Sequence, residues 1–451
     1  MAKRHLIFMS VAGLRPIDVD PAVPTLYGWA ASGVTAELVP TFPCVTSCVQ
    51  ASIATGVAPG QHGIIANGFH HRDRGCVEFW VGRNDAVAGR QIWDAIKQQH
   101  PDWTSAVWHL QNIKGAGADF IVTPAPIHAD DGTTRPWCYS KPDGLYQRLI
   151  DAVGHFPLQH YWGPQAGIES TRWILRASAW LVDNHAPNYN WIYIPHLDYA
   201  GQRFGQDSPQ YRLALTELDG QLADFTRHIA RSSIGHDVTY LVAGEYALTD
   251  VTGVVYPNRM LRDAGLLKVI KDGGAEQIDI RGSAAFAMVD HQLAHVYARD
   301  ADPRTISLCC ELFNGAPGLA GVYHGDALDD LGVRHERCGD VLLVSDDCHW
   351  FAYYWWLDDA AAPSFARTVD IHRKPGYDPV ELFLDPSTGG IPLDAGLVKG
   401  SHGVPATGDR HRTTLVCSRR CEAIEAGRVY RDTDLKRISL DLMDSSAPAG
   451  L

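Results

Sequence analysis

The chain has 451 residues, 45% of them apolar and 20% charged, with a formal net charge of −13. That is enough for a large buried core, or about three domains at roughly 150 residues each, without a disulfide scaffold. The acidic balance argues against a nucleic-acid backbone as partner, whereas a small phosphorylated substrate needs only local positive charge.

The opening "MAKRHLIFMSVAG" sets two basic residues before an apolar run of about seven, too short for a secretory leader or a bilayer span. "HLIFMSV" (5–11) is expected to be a buried central strand. "VPTLYGWAASG" reads as a short helix stopped at Gly33, and "VTAELVP" as the next strand. "TSCVQASIATG" should be a helix from Thr46 to Gly56, "GRQIWDAIKQQHP" one ended by Pro101, and "TSAVWHL" a strand. A long amphipathic helix is expected over 170–185, then a strand "NWIYIPHLD" (190–198) ending in polar residues. A helix over 210–229 and the strand "DVTYLVAGE" follow.

This alternation predicts an α/β fold with a mostly parallel central sheet covered by helices on both faces. Ligands in such folds sit beyond the carboxyl ends of the strands, where Thr46, Asp198 and Glu245 all fall. Shorter strands over 252–339 suggest an inserted α+β cap between core segments 1–251 and 340–451. The last eight residues, "DSSAPAGL", read as a frayed tail. The ten cysteines are scattered without a CxxC pair and read as reduced thiols of a cytoplasmic protein.

Five segments carry a resemblance: "HLIFMSVAGLRP", "PTFPCVTSCVQASIATGVAPGQHGIIANGF", "YIPHLDYAGQRFGQDS", "TYLVAGEYALTDV" and "KGSHG". In order and content they resemble the alkaline phosphatase superfamily, in its type I phosphodiesterase/nucleotide pyrophosphatase branch. The "HLDY" and "HRKPGYDP" segments are also similar to those of a divergent bacterial branch. The resemblance implies an alkaline-phosphatase-like sheet, two zinc ions and a threonine or serine nucleophile, here Thr46. Read from the residues alone, Thr46 is either that nucleophile or simply a helix cap.

The family's metal-ligand pattern changes here. Its first aspartate is Ala12, and its Asp-His pair is Glu245-Tyr246. The other site corresponds to Asp198, Gln202 and His402. A glutamine amide is a poor zinc ligand, so one divalent ion, zinc by preference, is expected rather than two. The family's asparagine after the nucleophile is missing at Val49, with Gln50 on the same helix face as a substitute.

His372 is a candidate added ligand, and Arg373 or Lys374 a candidate cation for phosphoryl oxygens. His196, two residues before Asp198, is expected on the same face of a strand end as a core histidine or added ligand. Asp290, His291 and His295 mark a binding role in the cap or a structural cluster. His62 is read as structural, and the run "WFAYYWWLDD" as a core strand or a pocket wall.

The function implied is a metal-assisted phosphoric ester or diphosphate hydrolase acting on a small phosphorylated substrate. Thr46 and Glu245 would be catalytic, with Gln50, Tyr246, Arg373 and Lys374 at the substrate. Asp198, His402, Gln202 and His372 would be at the metal. The alternatives are an inactive protein that binds in the old pocket, or a single-metal enzyme of different chemistry.

Overall fold

The computed structural model describes residues 4–128 and 134–444, so all of the expected tail after Asp444 lies outside the described residues. Its centre is a nine-stranded sheet. In chain order the strands are β1 (His5–Val11), β2 (Val34–Val39), β3 (Ser105–Trp108), β4 (Phe120–Pro124), β5 (Cys138–Lys141), β6 (Tyr189–Ile194), β7 (Val238–Gly244), β8 (Thr413–Cys417) and β9 (Val429–Arg431). Across the sheet they run β9-β2-β8-β7-β1-β6-β3-β4-β5. β1 pairs in parallel with β6 and β7, and β3 with β6 and β4. The antiparallel strand β8 lies between β2 and β7, and β5 is antiparallel at one edge. The fold is α/β with a mostly parallel, mixed sheet.

Every residue of β1 is buried, as a strand covered on both faces requires. Ile7, Met9 and Val11 face one core, packed by the helices α2 (Ile168–His185) and α4 (Pro209–Ile229). Leu6 and Phe8 face the other, where α1 (Thr46–Thr55) and α5 (Leu435–Asp444) supply Val49, Ile53, Leu435 and Ile438.

One expectation changes here. The chain leaves β6 at Ile194, and after Pro195 it enters a helix, α3 (His196–Phe204), rather than extending the strand to 198. Residues two apart on a helix point in different directions. His196 turns to Glu217 (Nε2–Oε2 3.0 Å), away from Asp198.

A second layer is an antiparallel sheet in the order Ala285–Asp290, Leu293–Ala298, Val341–Ser345, Leu319–His324. Its third strand extends this layer past residue 339, the boundary expected for the cap. The aromatic run contributes Trp350 through Trp356 to the same apolar core, as the core reading expects, although the regular strand is only His349–Phe351. His291 and His295 share no helix: His295 is in a strand, and His291 sits in the hairpin turn at φ 61°. His62 is structural, bonded to Ser52 Oγ (3.0 Å) and to the Ile64 amide (3.1 Å).

His109, just past β3, is fully buried against Phe156, Tyr161 and Trp173, and neither ring nitrogen has a hydrogen-bond partner. Burial alone pushes its pKa down to about 3. The unfolded chain therefore takes up a proton at this residue near pH 6.5, and the folded chain does not until about 3. Stability is full above pH 6.5 and falls on acidification by about 1.4 kcal/mol per pH unit. In urea titrations between pH 6.5 and 4, His109→Asn, which tolerates the φ of 61°, should lose that increment of slope. An unchanged slope would mean the imidazole gains a proton inside the fold.

Candidate functional site

Because β1, β2, β6 and β7 run in the same direction, the loops after them meet at one edge of the sheet. The loop after β2 leads into α1, whose first residue is Thr46. Val45 occupies the capping position, and no side chain caps the helix, so the Thr46 hydroxyl is free of that duty. Its Oγ1 lies 3.2 Å from the Tyr246 hydroxyl. Tyr246 and Glu245 directly follow β7.

Glu245 is fully buried. Its Oε1 accepts from Gln50 Nε2 at 2.9 Å, while Oε2 has no partner. Gln50, one turn along α1, accepts the Gln111 amide at 2.8 Å and so holds its own orientation. Burial pushes the Glu245 carboxyl up to about 8, with the Gln50 amide holding it back.

Asp198 and Gln202 share a face of α3, four residues apart. Gln202 Nε2 donates to Asp198 Oδ2 at 2.5 Å, and its Oε1 accepts the Tyr377 hydroxyl at 2.9 Å. Burial raises the Asp198 pKa to about 7, opposed by the Gln202 amide. His402 follows a short strand, Gly400–Ser401, bridged to Thr249–Asp250. Its Nδ1 donates to the Cys44 carbonyl at 2.7 Å, which leaves the Nε2 lone pair facing the site. Nε2 lies 3.7 Å from Asp198 Oδ1, and neither atom has a hydrogen-bond partner.

The His402 ring is sandwiched between Tyr246 (centroids 3.7 Å) and His291 (3.8 Å). His291 in turn stacks on Tyr377 at 3.6 Å and bonds Asp290 through Nδ1 at 2.6 Å. Asn67 donates to Asp290 through its amide and side chain, and its Oδ1 accepts the Ser47 amide of α1. Asp290, His291, Tyr377 and Asn67 therefore belong to the same buried network.

The candidates from "HRKPGYDP" lie elsewhere. Lys374 is buried between Asp378 (2.8 Å) and Glu381 (2.6 Å), which hold its ammonium charged although burial opposes it. That cation is committed to two carboxylates and is not available to a phosphate. Arg373 is solvent-exposed and paired with Asp370, and His372 is also exposed, so neither is part of the buried cluster. The segment's contribution is Tyr377, where Gly376 is required because a Cβ there would lie 2.5 Å from Tyr353. Among the described residues no three His, Cys, Asp or Glu side chains gather as a ready-made metal group.

Residues 6–378 match the profile described as type I phosphodiesterase / nucleotide pyrophosphatase. The chain belongs to that family. This phosphodiesterase/pyrophosphatase family consists of hydrolases acting on phosphorylated substrates, and its members typically use divalent metals. An uncharacterised pyrophosphatase/phosphodiesterase of Schizosaccharomyces pombe is 23% identical over 220 residues, 47% of this chain and 37% of that protein. The chain thus spans little more than a third of the length of that curated relative.

Two solved structures share the fold. Phosphonoacetate hydrolase of Sinorhizobium meliloti, in complex with phosphonoformate, superposes with a TM-score of 0.62 at 15% identity, covering 98% of this chain and 96% of that one. Murine ectonucleotide pyrophosphatase/phosphodiesterase 5 gives 0.60 at 14%, covering 99% and 96%. Among the described residues no helix is long and apolar enough to cross a membrane.

Removing the Lys374 ammonium strands two buried carboxylates. Lys374→Met should cost about 3–5 kcal/mol in denaturant unfolding. Were the lysine a phosphate ligand instead, stability would hold within about 0.5 kcal/mol and only KM would rise.

Proposed function

We propose that this member of the family is a phosphodiesterase or diphosphate hydrolase that works with one divalent ion, zinc by preference, between Asp198 and His402. The observation that carries the reading is the pair of buried, unpartnered donor atoms, Asp198 Oδ1 and His402 Nε2, 3.7 Å apart. The orphaned Oε2 of Glu245 adds a second uncompensated buried carboxylate, and no Lys or Arg pairs with either among the described residues. Buried carboxylates without a cation are costly, and a divalent ion is the compact remedy. The Cys44 carbonyl fixes the His402 tautomer, as a carbonyl on the far ring nitrogen does for metal-bound histidines.

A two-ion centre fits poorly. Ala12 offers no donor, Tyr246 is stacked on His402 with its hydroxyl on Thr46, and Gln202 is committed at both ends of its amide. Two protein donors leave the remaining coordination positions to substrate and water.

Such an ion would supply positive charge for the phosphoryl oxygens and ease ionisation of the attacking hydroxyl. Thr46 Oγ1 forms the new bond to phosphorus as the bond to the leaving oxygen breaks, giving a phosphothreonine that water then cleaves. The N-terminus of α1 faces the developing negative charge. Tyr246 orients the Thr46 hydroxyl, and Glu245, held by Gln50, is assigned the proton transfer. The ten unpaired cysteines suit the reducing cytoplasm expected from the sequence.

Elemental analysis after incubation with zinc or manganese should find about one ion per chain, lost in Asp198→Ala and in His402→Ala. Thr46→Ala should keep the ion and the fold but lose hydrolysis of bis-(4-nitrophenyl) phosphate by about 10³-fold. No ion bound by the natural chain in excess metal would overturn the single-ion site. Full turnover by Thr46→Ala would overturn the nucleophile. An ion bound with no turnover on any phosphodiester or diphosphate would favour a binding protein.

A further inference from the structure

A cavity of about 430 Å³ opens on the second sheet, and its lining includes none of Thr46, Tyr246, Asp198, Glu245 or His402. Its floor is Ile280, Phe286 and Tyr297 with the His70 imidazole packed against both rings, and its wall and rim carry Arg72, Arg281 and Arg299. In a chain of net charge −13, three guanidinium groups around one hollow, of which Arg72 is paired with Asp340, outnumber the carboxylates Asp300 and Asp340 and leave a local positive excess. The volume is that of a small-molecule pocket, and an apolar floor with a few converging charges is its usual chemistry.

Each arginine is differently held. Arg72 lies over the Tyr297 ring at 5.1 Å and is anchored to the Ala298 carbonyl and Asp340. Arg281 spends Nε and one terminal nitrogen on the Arg74 carbonyl, which leaves its other terminal nitrogen unspent. Arg299 is exposed and has no ion pair or side-chain hydrogen bond among the described residues. At the rim, Asp300 and Ala301 both adopt left-handed backbone angles (φ 56° and 50°), which aspartate tolerates and alanine does not favour. The floor is rigid: Phe286 and Tyr297 face each other across the hairpin with centroids 5.5 Å apart.

We propose that this cavity is a second binding site, distinct from the candidate catalytic pocket, for a small organic phosphate carrying a flat ring, such as a nucleoside monophosphate. The phosphate dianion meets Arg281 and Arg299, with Arg72 as the fixed charge behind them, and the ring lies on the apolar floor. Guanidinium forks match phosphate oxygens in pairs, and an anion without a ring leaves the floor unused. The strands Ala285–Asp290 and Leu293–Ala298 run from Phe286 and Tyr297 on this floor to Asp290, four residues or roughly 14 Å along the hairpin. The proposal does not rest on the assignment of Thr46 or of a metal.

The test is calorimetric titration of the full-length chain carrying Thr46→Ala and Asp198→Ala, so that turnover and the catalytic pocket are both removed. AMP is the probe and inorganic phosphate the comparison. One AMP should bind per chain, more tightly than phosphate. Arg281→Glu and Arg299→Glu, both at exposed positions, should each weaken it at least about tenfold without lowering the melting temperature. Three results would overturn the site: no AMP binding at millimolar concentration, affinity indifferent to both arginine changes, or equal affinity for AMP and phosphate. Binding seen only when Asp198 and Thr46 are intact would move the ligand to the catalytic pocket and overturn it equally.

Discussion

Four strands that run in the same direction must end on the same edge of the sheet, and everything at the candidate site follows from that. β1, β2, β6 and β7 each deliver a loop to one place, so Ala12, Thr46, Asp198 and Glu245 become neighbours although they are spread over 234 positions of sequence (12 to 245). The hairpin of the second sheet and the loop bearing His402 close over them from the other side. The site is an interior one, and water is largely excluded before any substrate arrives.

Burial of this kind sets the electrostatics. Asp198 and Glu245 are raised to about 7 and about 8 by desolvation, opposed first by the amides of Gln202 and Gln50. Gln50 and Gln202 can hold a carboxylate oxygen in place, but they cannot cancel its charge. The four rings stacked in series beside them, Tyr246, His402, His291 and Tyr377, add rigidity without adding positive charge. Elsewhere the fold solves the same problem differently, by setting Lys374 between Asp378 and Glu381. That contrast, two raised carboxyls with no Lys or Arg partner among the described residues, is what the proposed ion rests on.

The sheet was legible because its strands are continuous apolar runs and its helices keep a 3.6-residue rhythm, as in β1 and α4. The convergence of Thr46, Glu245, Asp198 and His402 on one edge was legible because they come after strand ends or sit in a recognisable loop. What could not be read was three-dimensional pairing. Asp198 was placed on a strand because the apolar run before Pro195 continues smoothly into it. The four-residue spacing to Gln202 was the helical signal that outweighs that run. Lys374 looked available because its two carboxylates lie four and seven residues away, where sequence gives no sign of a buried triad. Tyr377 and His291 had no periodic signal, since one follows a crowded glycine and the other occupies a turn with positive φ.

The place of β8 has a consequence for how the molecule is made. It is the strand that joins β2 to β7, yet it is formed from Thr413–Cys417, about 370 residues after β2. A ribosome needs on the order of tens of seconds to cover that stretch. Throughout that interval β2 has no partner on that side, and once β7 is complete at Gly244 it presents an open edge until Thr413 is made. The chain therefore reaches its most adhesive form late in synthesis, when most of its mass is already folded. Shielding of that edge during the last part of synthesis is a demand on the chain separate from the stability of its finished core.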